Sequence, residues 1–138
     1  METFERASIN ITFAWEGAVA IADIKDEGGL VSHRFPTYQC RENVDVSFLR
    51  HWILLPIFRY NLGLLSPGGA GRNRVLNKKD LMKLKILLPN IYEQKQIGTL
   101  LNTTDNEVST LNHQLQLIKT QKRGLMQKLL TGEIRVKV

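Results

Sequence analysis

From Asn90 to Leu130 the chain contains no proline, and apolar or tolerated residues return at steps alternating between four and three. They fall at Ile97, Leu101, Thr104, Val108, Leu111, Leu115, Ile118, Lys122, Leu125 and Leu129. A repeat averaging 3.5 keeps one edge of a helix turned toward a companion, which is the seam of a coiled coil. Asn90 with Glu93 gives an N-terminal cap signal, and Thr131-Gly132 gives the C-terminal stop. The spacing predicts a helix over Glu93–Leu130, about 57 Å long at 1.5 Å per residue. The domain that residues 1–89 can build is too small to cover such a rod, so the rod calls for a second helix; the alternative is an amphipathic helix packed on its own domain.

Two seam positions are polar, and they constrain the companion. In a parallel pair Lys122 would face Lys122 and bury like charges. In an antiparallel pair centred at residue 113, Thr104 meets Lys122, Leu111 meets Leu115, Val108 meets Ile118 and Leu101 meets Leu125. Both polar layers then pair and the others stay apolar. An antiparallel homodimer is the expected form of self-association. Gly98 and Gly124 interrupt good helix formers and mark expected close contacts with a partner.

Residues 1–89 have a different texture. Ile9–Phe13 and Ala18–Ala22 read as strands separated by a turn at Glu16-Gly17, and Asp26–Gly29 is a second turn signal. Leu30-Val31-Ser32 opens another expected strand, ending near Pro36. Asp45 suits the cap of a helix from Val46, with Phe48, Leu49, Trp52 and Ile53 on one face. Pro56 suits the first turn of a second helix carrying Ile57, Phe58, Leu62 and Leu65. Asn77 and Asp80 cap a short helix expected to reach Leu84, and Lys85–Leu88 reads as a strand stopped by Pro89. The fold class is therefore α+β: a small, partial mixed α/β domain over 1–89, then one long coiled-coil helix and a short tail over 90–138.

Charge is unevenly placed. The chain of 138 residues has 19 Lys+Arg, 13 Asp+Glu and a net charge of +6. Residues 66–90 alone hold six basic side chains and one acid, around Gly68-Gly69-Ala70-Gly71-Arg72-Asn73-Arg74. Such a concentration suits a polyanion. Glycines let backbone amides approach phosphate, while Arg72 and Arg74 can grip phosphate or a guanine edge and Asn73 can read adenine. Lys78 and Lys79, at the start of the next helix, add phosphate-type donors. His33 and Arg34 are further DNA-facing candidates. The run lacks the Gly-Lys-Ser/Thr of a nucleotide-binding loop.

Other chemistries find little support. His33, His51 and His113 have no metal-ligand spacing, the lone Cys40 reads as a packed thiol, and no acid pair suggests catalysis. A small phosphate- or nucleotide-handling enzyme is thus disfavoured, and no cofactor or metal is expected. With no apolar run of membrane-spanning length and a polar start from Met1 to Arg6, a cytoplasmic protein is expected.

Several blocks carry a resemblance. Leu76-Asn77-Lys78-Lys79-Asp80-Leu81, Ile86-Leu87-Leu88-Pro89 and Glu93-Gln94-Lys95-Gln96-Ile97 occur in that order. The ending runs Lys122-Arg123-Gly124-Leu125-Met126-Gln127-Lys128-Leu129-Leu130-Thr131-Gly132-Glu133-Ile134-Arg135-Val136. Upstream stand Trp15-Glu16-Gly17-Ala18, Val31-Ser32 with Phe35-Pro36, and Val46-Ser47-Phe48-Leu49. From about Phe13 to Val138 the chain resembles the DNA-specificity subunits of type I restriction–modification systems.

The resemblance implies a non-enzymatic subunit whose target-recognition domain grips half of a split duplex site. It also implies a helix that acts as spacer and docks methyltransferase subunits and, through them, the restriction subunit. A 57 Å spacer would set half-sites at most about 17 base pairs apart, at about 3.4 Å per base pair. Full members of that family carry two recognition domains and two helices, so a half-size or truncated subunit is expected, completed by dimerisation. The alternative is a fragment that dimerises or docks through its helix without reading DNA.

Overall fold

The computed structural model describes residues 6–69 and 74–137. Strands β1 (Arg6–Ile9), β2 (Val19–Ala22) and β3 (Thr37–Gln39) form one antiparallel sheet in the order β2-β1-β3. Register pairs Ser8 with Ala20 on one side and with Thr37 on the other. Helices α1 (Val46–Trp52), α2 (Pro56–Leu64), α3 (Lys78–Leu81) and α4 (Ile91–Leu130) follow. The α+β class read from the sequence is the class observed.

The first strand lies upstream of the run Ile9–Phe13 and shares only Ile9 with it, and Asn10 is the reason. Its Oδ1 accepts from the backbone N–H of Thr12 at 2.9 Å and of Phe13 at 3.3 Å. This Asx turn bends the chain out of the sheet into a 3-10 turn at Ala14–Glu16. Gly17, at φ 88°, then reverses direction as the turn signal required.

The strand expected at Leu30–Ser32 is not formed, and Leu30 is fully exposed. Pairing instead begins just before Pro36, at Arg34. The carbonyls of Arg34 and Pro36 accept from Ile11 and Ile9, and Thr37 and Tyr38 continue the ladder. Lys85–Leu88 also stays outside any ladder among the described residues, because no strand lies alongside to satisfy it. The short helix α3 stops at Leu81, where the backbone tightens into turns, rather than reaching Leu84.

The core of this part consists of Ile9, Ala14, Phe58, Leu62 and Leu76, rimmed by Trp52, Ile53, Leu65 and Tyr38. Pro56 opens α2 and aims Phe58 and Leu62 inward, and Trp52 and Phe58 meet at 5.0 Å between ring centroids. Asp45 caps α1 by accepting from Phe48 N at 2.9 Å. Burial of Leu62, with no exposed surface, is worth about 1.5–3 kcal/mol. The hydroxyls of Ser8 and Tyr38 are buried with no hydrogen-bond partner among the described residues.

The chain divides into two compact units, Met1–Leu100 and Leu101–Val138. Helix α4 is 40 residues long, or about 60 Å. Asn90 caps it by accepting from Glu93 N at 3.0 Å, the signal read in the sequence. Gly98 touches α1 of its own chain, not a partner: a Cβ there would lie 2.8 Å from Phe48 N. From Leu101 onward the helix is largely exposed, including Val108, Leu111, Leu115, Ile118 and Leu125. It ends at Gly132, φ 76°, with Ile134 N donating to Lys128 O and Lys128 paired to Glu133 at 3.2 Å. No helix among the described residues is long and apolar enough to cross a membrane.

Candidate nucleic-acid interface

The glycine-rich basic stretch leaves the end of α2 and returns at the start of α3. Its two ends are held together by the bond from Asn77 N to Leu65 O, 2.9 Å. Asn77 also caps α3 by accepting from Lys79 N at 3.1 Å and Asp80 N at 3.4 Å. One residue earlier, buried Leu76 donates to Ile11 O at 2.8 Å. The base of the loop is thus tied both to itself and to the chain leaving β1.

Arg74 is the main tie. Its Nε donates to Ser66 O at 3.1 Å and its Nη2 to Gly63 O at 2.7 Å. These carbonyls end α2, where a cation is favoured by the helix dipole. The guanidinium lies over the Trp15 ring, 5.1 Å from its centroid. Ser66, fully buried, donates from Oγ to Leu62 O at 2.7 Å and closes the same corner.

Trp15 links this corner to the other candidates. Its Nε1 donates to Thr12 O at 3.2 Å, and Thr12 Oγ1 accepts from Arg34 Nη1 at 3.1 Å. Ile11 donates to Arg34 O and accepts from Leu76. The segments carrying Arg34 and Arg74 therefore flank one strand end, joined through Thr12 and Trp15.

The seven residues singled out for DNA are placed unequally. Arg72 and Asn73 lie outside the described residues. Lys78 and Lys79 are exposed on the first turn of α3, while neighbouring Lys83 is paired to Asp80 at 3.0 Å. His33 and Arg34 are exposed. Arg74 is half-buried, with two of its N–H groups on backbone carbonyls. Sequence reading missed Thr12, Trp15 and Ser66 as the scaffold. A tryptophan one short turn after a polar Asn-x-Thr was the available signal.

A groove of about 710 Å³ over the sheet, lined by Arg6, Ser8, Lys25, Asp23, Asp26 and Glu27 among others, carries more acid than base. It suits a polyanion less well than the α2–α3 edge does. No cluster of three His, Cys, Asp or Glu side chains among the described residues could hold a metal.

A family model described as the type I restriction modification DNA specificity domain matches residues 3–120. The chain belongs to that family. Within the specificity-domain family, it is 36% identical over 83 residues to the MjaX specificity-subunit relative of Methanocaldococcus jannaschii, covering 60% of this chain and 18% of that protein. It is 41% identical over 56 residues to the type I restriction enzyme MjaVIII specificity subunit of the same organism, covering 41% of this chain and 13% of the relative. The chain therefore spans under a fifth of the curated relatives it matches. No solved structure matches it. For this specificity domain, the family match covers both the tied basic loop and most of α4.

Proposed function

We propose that the chain is the recognition half of a type I DNA-specificity subunit: a non-catalytic, cytoplasmic reader of one half of a split duplex target. The recognition domain occupies residues 1–89 and the spacer helix residues 90–138. Arg72, Asn73, Lys78, Lys79, His33 and Arg34 face DNA, and Arg74 holds the loop that presents them. No cofactor is used by this chain itself. The observation that carries the reading is a closed-base basic segment followed in sequence by a 40-residue helix, in a chain of this family.

The helix serves as spacer, as docking element for methyltransferase and restriction subunits, and as the contact to a second copy through Ile97, Leu101, Thr104, Val108, Leu111, Leu115, Ile118, Lys122, Leu125 and Leu129. Its charge supports an antiparallel pair. Residues 91–107 carry Glu93, Asp105 and Glu107 against Lys95, whereas residues 108–130 carry Lys119, Lys122, Arg123 and Lys128 with no acid. Antiparallel pairing sets the acidic half of one copy on the basic half of the other, and parallel pairing sets like on like.

The test is duplex binding at several salt concentrations. Lys78→Ala plus Lys79→Ala flattens the slope of log affinity against log salt by about two units. An unchanged slope removes this edge from the interface. The second reading, docking without DNA recognition, is favoured by the commitment of Arg74 to the scaffold. It gives normal co-purification with methyltransferase subunits and no shifted duplex on a gel.

A further inference from the structure

Gln94, on the second turn of α4, is 1% exposed, yet it is a polar side chain on the helix that the seam assigns to a companion. Its Oε1 accepts from Asp45 N at 3.0 Å, and its Nε2 donates to Asn43 O at 3.1 Å and Pro89 O at 2.8 Å. Asp45 is the N-cap of α1, three residues before Phe48. A capping box would need Glu or Gln at that third position to bind the cap residue's own N–H. Phe48 has no such group, and Gln94 supplies the acceptor from α4 instead.

One turn further on, Gly98 lies against the same first turn of α1. A Cβ would stand 2.8 Å from Phe48 N, 2.9 Å from Ser47 Cβ and 3.0 Å from Ser47 C. The two backbones approach where only glycine fits. The i, i+4 spacing puts Gln94 and Gly98 on one face of α4. The chemistry at 94 is demanding: glutamate lacks both donors, and asparagine is one methylene short.

We propose that Gln94 and Gly98 form a rigid joint between the recognition domain and the first turns of its spacer, and that Gln94 is a positioning residue for half-site separation. The inference rests on the specificity-subunit reading. An apolar residue could fill the same volume but would not select one arrangement, because it has no directional bonds. A sharp preference for one separation then requires this joint as well as a helix of fixed length.

The experiment selects from a duplex library with two randomised half-sites at varied separation, using the full chain and its Gln94→Met and Gly98→Ala variants. Thermal unfolding and light scattering are run in parallel. Wild type enriches one separation. Gln94→Met stays folded, associates as before and keeps its half-site sequence, but lowers the preference for the best separation over its neighbours about tenfold, or ~1.4 kcal/mol. If Gln94→Met does not fold, Gln94→Asn carries the same comparison with an intermediate breadth, and Gly98→Ala, whose Cβ pushes α4 off α1, broadens the preference where it folds. Folded variants that prefer one separation as sharply as wild type, or that lose DNA altogether, overturn the joint while leaving the specificity reading intact. A wild-type chain that enriches no split site overturns the reading and the joint together.

Discussion

Replacing Arg74 by alanine separates two roles that a basic loop residue can play. In the structure its guanidinium makes two hydrogen bonds to the carbonyls of Gly63 and Ser66 and stacks on Trp15. A net hydrogen bond contributes about 1 kcal/mol and a partly exposed cation–π contact about 0.5–1 kcal/mol. With allowance for solvent screening at a half-buried site, Arg74→Ala costs about 2–3 kcal/mol. Arg74→Lys recovers less than half, because one ammonium cannot bridge two carbonyls and lie flat on an indole. The assay is urea unfolding followed by tryptophan fluorescence, since Trp15 and Trp52 both fall in the first unit. At a slope of about 1–2 kcal/mol per molar, the midpoint falls by ~1–3 M. Lys78→Ala, at an exposed position on α3, leaves that midpoint in place and reduces the salt dependence of DNA binding by about one unit. A loss below ~0.5 kcal/mol for Arg74→Ala refutes the scaffold assignment.

Burial raises the Tyr38 phenol above its ordinary pKa of 10.0. The folded chain therefore holds that proton more tightly than the unfolded chain, so this contribution is intact below pH 10 and is lost as pH rises beyond it. Tyr38→Phe removes the alkaline decline. Because the hydroxyl is buried and unpartnered among the described residues, the change leaves neutral-pH stability unchanged or raises it by up to ~1 kcal/mol; a clear loss contradicts this. For the seam, Leu111→Cys and Leu115→Cys chains in a Cys40→Ser background, mixed and oxidised, form a 111–115 cross-link. A Leu101→Cys chain that links to itself through residue 101 contradicts the antiparallel register.

Local chemistry made much of the fold readable. Asp45, Pro56, Asn77, Asn90 and Gly132 each end or begin an element where their backbone preferences place them. The failures came where a side chain or a missing neighbour outweighed composition. Asn10 diverts a β-rich run, and Lys85–Leu88 has strand-like residues without a strand to pair with. The candidate site was legible as charge but not as architecture. Lys78 and Lys79 are exposed as their position implies, whereas the engagement of Arg74 depends on Trp15, far away in sequence. The pattern assigns Gly98 to contact with a partner, whereas its close neighbour is α1 of its own chain, a distinction that helix periodicity does not carry.

The bond between Leu65 and Asn77 gives the basic segment the character of a cartridge. With both mouths clipped to the body, a stretch between them can be lengthened or rewritten while the core beneath stays as it is. Doubling such a stretch adds only about 0.6 kcal/mol of closure entropy. If the proposed DNA-facing role of this edge holds, new target preferences can be written between two fixed anchor points without redesigning the protein that carries them.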